Sequence, residues 1–216
     1  ESIDDYLGYR YVREPFTFFK NILQVKAGTC LCIGKGRKLT EKRYWKVPKV
    51  FNKEEKYDEE QVKRGLEERL KTAVLQRTVA DVPLGTYLSG GIDSSLLTAM
   101  VAENTKERVN TYTIGFSELN EFEYSRMVAK QYRTLHHEIL MSRGNYLEEM
   151  QRVISFKDAP LGVPNEVPLA VMSKELKKNI TVVLSGEGAD ELMGGYGRIF
   201  RSPFDYENDN PKESFY

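Results

Sequence analysis

Three serines, two adjacent glycines and one carboxylate fall within Leu88-Ser89-Gly90-Gly91-Ile92-Asp93-Ser94-Ser95, where an apolar run gives way to a helix-permissive one. That pattern suits a polyphosphate. Paired glycines can take positive φ and let backbone N–H groups converge on an anion with no Cβ in the way. A helix starting here adds its dipole and its unpaired N–H groups, and the hydroxyls of Ser89, Ser94 and Ser95 can donate to phosphate oxygens. Asp93 would repel a phosphate unless a divalent cation lay between them, so its presence implies magnesium. The other common phosphate loop, G-x-x-x-x-G-K-[ST], carries a lysine instead, and no segment fits it. Gly28 to Gly36 comes nearest, but has Gly36 after Lys35 and reads as a turn between strands. The Gly-Gly segment can also be read as a helix start whose Gly, Asp and Ser serve only as caps.

A second segment, Val182 to Tyr196, repeats the logic: a short apolar run Val182-Val183-Leu184, then Ser185-Gly186-Glu187-Gly188, then Ala189-Asp190-Glu191. Ligands of open α/β sheets bind outside the carboxyl ends of the strands. Two such loops on neighbouring parallel strands would bring Asp93 and Asp190 to one triphosphate, which calls for a hard cation with oxygen ligands. Asp190 and Glu191 can also be read as a solvated acidic turn. Glu187 has the chemistry to accept a proton from an incoming amine, or to bond loop N–H groups in a structural role.

Ser-Gly-Gly-x-Asp-Ser resembles the pyrophosphate loop of the ATP pyrophosphatases. The segment from Ser185 to Tyr196 resembles S-G-E-G-[SA]-D-E-x-x-G-G-Y of glutamine-dependent asparagine synthetases. The resemblance implies an AMP-forming ligase that uses Mg-ATP to adenylate the side-chain carboxylate of aspartate or a similar acid. Pyrophosphate leaves, and ammonia drawn from glutamine displaces AMP to give asparagine. Carried over by position, Asp93 and Asp190 hold magnesium, Glu187 takes part in proton transfer, and Ser89, Gly90, Gly91, Ser94 and Ser95 cradle the phosphates. Tyr87, Leu88 and Ile114 line the adenine, with Ser185 and Gly186 near ribose and phosphates; Tyr87 departs from the small or aliphatic residue usual there. Alternatives are a β-lactam-synthetase-like or other acyl-adenylate-forming relative, and a non-catalytic nucleotide-binding domain. Possible partners extend to a second copy in a homodimer.

The elements that must position these residues follow from periodicity. Residues 53–80 carry Val62, Leu66, Leu70, Ala73 and Val74 at three- and four-residue spacing, predicting a surface helix. Strands are predicted at 82–88, 109–116, 137–141 and 182–184, and helices at 94–103, 121–132, 145–156 and 169–177. Strands separated by helices imply an α/β fold with a doubly wound parallel sheet and right-handed crossovers, which the resemblance makes adenine nucleotide alpha-hydrolase-like. The triple-proline segment 158–168 reads as irregular; the resemblance makes it a loop beside the nucleotide, and it can equally be a plain surface connection.

Residues 1–48 predict a short amphipathic helix over 1–11 and extended segments at 16–20, 29–33 and 43–45, too little to bury a core alone. Val25-Lys26-Ala27-Gly28 and Arg43-Tyr44-Trp45 resemble the tail of the glutaminase domain and its bridge, a small β-rich remnant ahead of the synthetase domain at 49–216. No residue can take the part of the N-terminal cysteine nucleophile of that glutaminase half, since the chain begins with Glu1. The resemblance further places residues needed around the intermediate beyond Tyr216, so that the chain alone would bind nucleotide weakly and not complete synthesis.

In the whole chain 32 basic residues balance 32 acidic ones, and no basic cluster is interleaved with aromatics. That gives no footing for nucleic acid or an anionic membrane. No stretch has the length and apolarity to cross a bilayer and no signal-peptide pattern is present, so a cytoplasmic protein is expected. Cys30 and Cys32 are too few for a zinc site or a disulfide framework and are expected to be buried free thiols. His136 and His137, adjacent on a strand, point to opposite faces and suit a structural role better than a shared metal. Asn179-Ile180-Thr181 matches a glycosylation acceptor, which has meaning only in a secreted chain.

Overall fold

The computed structural model describes residues 2–48 and 58–197. The first residues of the expected charged helix, 53–57, and the polar stretch 198–216 lie outside the described residues. Cα packing divides the chain into two compact units, Glu1–Arg64 with Arg143–Val171, and Gly65–Ser142 with Met172–Tyr216.

In the first unit, helix α1 (Ser2–Tyr9) precedes an antiparallel hairpin of β1 (Thr29–Ile33) and β2 (Leu39–Arg43), paired from Thr29 with Arg43 to Ile33 with Leu39. The Gly34-Lys35-Gly36 turn closes it, Gly34 N–H donating to Lys38 O at 2.9 Å. Among residues 2–48 Asp5 alone is buried, held by the Arg13 guanidinium at 2.8 Å. That hydrogen bond is the chief reason its carboxyl titrates below the ordinary range. The segment expected to be β-rich thus holds one hairpin; residues 16–20, expected as a strand, form turns, because Thr17 Oγ1 bonds the carbonyls of Phe19 and Ile22 and folds the backbone on itself. The thiols are also not both buried. Cys30 is half-buried and Cys32 exposed, since little packs on this hairpin face.

Helix α5 (Arg143–Lys157) belongs to the same unit, as does the start of α6 (Glu166–Leu176). The irregular segment is shorter than expected. Pro168 sits in the first turn of α6, where a missing N–H leaves no helical bond unmade. The Glu166 carboxylate accepts the N–H groups of Gly162 (2.8 Å) and Val163 (3.3 Å) and pairs with Lys157. Burial pushes its pKa up, but these donors outweigh it and hold Glu166 below the usual carboxylate range.

The second unit is a four-stranded parallel sheet built from β3 (Leu84–Tyr87), β4 (Asn110–Phe116), β5 (Leu135–Met141) and β6 (Val182–Leu184), in the order β5-β4-β3-β6. Its helices are α2 (Glu59–Arg77, from Gly65 on), α3 (Ile92–Asn104), α4 (Phe122–Gln131), the end of α6, and the short α7 (Ala189–Met193). Tyr112, Met172, Leu176 and Ile180 form one apolar cluster, with Tyr87, Ile114, Ile139 and Val183 against it. Val74, Val101 and Val109 form another, with Leu84, Leu97, Met100 and Leu184. Neighbours Val183 and Leu184 fall in different clusters, so helices cover both sheet faces, as a parallel sheet requires. The expected stripe on α2 reaches the core only at Val74; Val62 and Leu66 are exposed.

Strand order runs outward from β3 through β4 to β5, then returns to the other side of β3 for β6. The strand order therefore reverses between the parallel neighbours β3 and β6, and the loops leaving those two strands flank a crevice at the sheet's carboxyl edge, where open α/β sheets hold ligands.

Candidate active site at the β3–β6 switch point

The loop leaving β3 is anchored before it turns. Leu88 is fully buried; its N–H donates to Tyr112 O at 2.8 Å and its carbonyl accepts Thr113 Oγ1, clamping the loop's root to β4. Gly90 then takes φ 89°, and a Cβ there would lie 2.5 Å from Tyr124 Cβ and 2.8 Å from Ser125 N on α4. Only glycine combines that φ with that approach. Gly91 caps α3 without a side-chain bond, leaving the first N–H groups of the helix for a ligand.

Hydroxyls brace the turn from inside. Ser94 Oγ lies 2.9 Å from Ser89 Oγ and accepts Ser89 N–H at 3.2 Å, while Ser89 Oγ accepts Gly91 N–H at 3.2 Å. Ser95 Oγ is buried with no hydrogen-bond partner among the described residues, an orphaned donor beside an anion-shaped loop. Asp93 is exposed on the first turn of α3. At the root of the strand, buried Thr86 and Thr98 share a hydrogen bond of 2.8 Å that ties β3 to α3.

The loop leaving β6 meets this one at Gly186, whose added Cβ would come 3.2 Å from both Asp93 Cβ and Ser94 N. Ser185 Oγ accepts Glu187 N–H at 3.2 Å, leaving the Glu187 side chain exposed. Gly188 (φ 93°) starts α7 and Gly194 (φ 73°) ends it, with Gly194 and Gly195 N–H both donating to Asp190 O. The Asp190 carboxylate packs onto Gly195, which has no room for a Cβ. Tyr196 Oη donates to Glu191 at 2.8 Å. That bond, with burial and the charges of Glu191, Asp190 and Glu187, pushes the Tyr196 phenol above its ordinary value, a sign that the loop's acids concentrate negative field in one place.

Of the remaining expected residues, Tyr87 and Ile114 pack with the Tyr112 cluster, and Tyr87 Oη is 3.0 Å from Ser173 Oγ. Ser185 is exposed on its loop. No three His, Cys, Asp or Glu side chains gather as a metal cage among the described residues. Asp93 and Asp190 each carry oxygen donors of the kind a hard cation such as magnesium takes. The histidines go opposite ways: His136 Nδ1 meets Thr111 Oγ1 at 2.9 Å, while His137 bonds Asn110 and stacks on Tyr112 at 4.6 Å. Asn179 donates to Tyr112 Oη at 3.2 Å. The α4 wall behind Gly90 and the Thr86–Thr98 tie carry no motif in the sequence; Tyr196 was visible only as the last letter of the second segment.

The sequence model of the asparagine synthase family matches residues 65–212, which takes in both loops. The chain belongs to the asparagine synthase family. Asparagine synthetase [glutamine-hydrolyzing] 1 of Bacillus subtilis (strain 168) is 32% identical over 205 residues, covering 94% of this chain and 32% of that protein. Putative asparagine synthetase [glutamine-hydrolyzing] 2 of Methanocaldococcus jannaschii is 29% identical over 199 residues, 91% of this chain and 38% of the relative. The chain thus spans about a third of the length of these family members. Among solved structures, the NH3-dependent NAD synthetase from Campylobacter jejuni superposes over 62% of this chain and 60% of its own, with 16% identity and a TM-score of 0.44.

Proposed function

We propose that the second unit is the ATP-binding and adenylating part of an asparagine-forming amidotransferase. The observation that carries this reading is the contact of Gly186 with Asp93 and Ser94, by which two loops of matching chemistry meet at the switch point of the sheet. The N–H groups of Gly90 and of the start of α3 bind the β- and γ-phosphates, and the Ser95 hydroxyl gains the partner it lacks. Asp93 and Asp190 hold a magnesium ion, which neutralises the charge on the departing pyrophosphate. Fixing the α-phosphate by one loop lets the aspartate carboxylate approach it in line, so that positioning supplies much of the rate. Ammonia then attacks the activated carbonyl, exposed Glu187 accepts the proton that the nitrogen must lose, and the acyl–oxygen bond breaks to release AMP. The relatives are named as glutamine-hydrolysing, which supports glutamine as the ammonia source, in a cytoplasmic protein.

Calorimetric titration of Mg-ATP tests the nucleotide half. Binding is expected to need magnesium and to weaken about tenfold or more in Asp93→Ala. Binding indifferent to both the ion and the variant overturns it. In the protein assayed with aspartate and ammonia, Glu187→Gln is expected to keep aspartate-dependent pyrophosphate release and to lose about 10²- to 10⁴-fold in amide formation. Nucleotide binding without any aspartate-dependent pyrophosphate release would make this a binding module instead.

A further inference from the structure

At the opposite end of the same sheet, where β4 and β5 begin, four cations from three stretches of sequence border one cleft of about 380 Å³. Arg108 comes from the turn before β4, Arg126 and Lys130 from one face of α4, and Arg133 from the turn before β5; Thr134 and His136 complete the polar lining. No acidic residue lines it. Glu138, nearby on β5, is occupied by Arg126 through two bonds of 2.6 and 2.7 Å. The Lys130 and Arg133 side chains have no hydrogen bond or ion pair among the described residues. Arg108 is fixed by donating to the carbonyls of Arg133 (2.8 Å) and Thr134 (3.0 Å). Those acceptors are neutral, so its charge and its remaining N–H donors stay uncommitted.

His136 adds a buried, unsatisfied atom. Its Nε2 has no hydrogen-bond partner, with Glu138 Oε1 3.7 Å away, beyond hydrogen-bond reach. Its Nδ1 is engaged with Thr111 Oγ1, which is itself 2.9 Å from Thr134 Oγ1. A buried ring nitrogen without a protein partner, beside the guanidinium groups of Arg108 and Arg133 that no carboxylate neutralises, calls for an explanation, and a bound anion supplies one. The cleft has the volume of a small-molecule pocket, and planar guanidinium forks match phosphoryl oxygens in charge and geometry.

We propose that this cleft binds a phosphoryl dianion, either inorganic phosphate or the phosphate of a small monoester, separately from the nucleotide site. Because Arg108, Arg126 and Arg133 are spread over 25 positions of sequence, the site is invisible as a motif and exists only once α4 lies on β4 and β5.

Heteronuclear NMR titration of the isotope-labelled chain with inorganic phosphate, and separately with glycerol phosphate, tests the proposal at constant ionic strength. Saturable shifts are expected at Arg108, Lys130, Arg133 and His136, weakening about tenfold in Lys130→Gln/Arg133→Gln; both positions are exposed, and unchanged circular dichroism verifies the fold. Tighter binding of the ester assigns the site to phosphorylated metabolites, and equal binding to phosphate itself. Shifts that grow linearly and are reproduced by chloride overturn the proposal. So do shifts confined to residues 89–95, or binding of a single-stranded oligonucleotide with no response to either small anion.

Discussion

Gly90 is the residue on which the loop after β3 turns, for two independent reasons: its φ of 89° and the α4 backbone against its Cα. Gly90→Ala is expected to destabilise the second unit by about 1–3 kcal/mol and to abolish Mg-ATP binding. Thermal melting with and without nucleotide measures both. A variant that folds as well as the parent and still shifts its melting point with ATP would show that the turn tolerates a side chain. That this segment and the one after β6 would each turn out of a short buried strand was legible from residue types alone, since both apolar runs end in serine and glycine. Ser95, expected to bind phosphate like its neighbours, differs from them in lacking an internal partner. Spacing could not separate it from Ser94, because the difference arises from which hydroxyl the turn folds inward.

Among elements, the tie between β3 and α3 is a single buried hydrogen bond, Thr86 to Thr98. Removing one partner leaves the other hydroxyl buried and unpaired, whereas removing both leaves an apolar contact. Thr86→Val is therefore expected to cost about 1–3 kcal/mol and the Thr86→Val/Thr98→Val pair less than the sum of the single changes, as read by urea midpoints. Strict additivity would mean that the two hydroxyls act independently. Apart from the short α7, which was read as a loop, the α/β elements of this unit were predicted within a few residues, because buried parallel strands and amphipathic helices write their periods plainly. The first unit was not so legible. Residues 16–20 alternate like a strand but obey Thr17, whose hydroxyl captures two local carbonyls, and Pro168 sat inside a helix that its presence seemed to forbid.

For the whole molecule, acid stability should follow His136. Burial is the main cause holding its pKa below the ordinary value, against the pull of Glu138. The unfolded chain then takes up a proton that the folded one refuses, so stability is complete above about pH 6.5 and falls as pH drops toward the folded value. His136→Asn is expected to flatten the urea midpoint between about pH 6.5 and 5; an unchanged slope would place the acid sensitivity elsewhere. Glu138, held low chiefly by its hydrogen bond to Arg126, contributes stability present above its unfolded value, lost only below about pH 4.3. Strand order has a different consequence, in time. β3, β4 and β5 can pair in the order in which they leave the ribosome, but β6 must come back across nearly a hundred residues to lie beside β3. Such a distant partner closes last. A nascent chain therefore carries its Gly-Gly loop with one flank of the sheet bare until residue 184 has emerged, and the edge of β3 that β6 will cover is, until then, an open strand that holdase chaperones can guard.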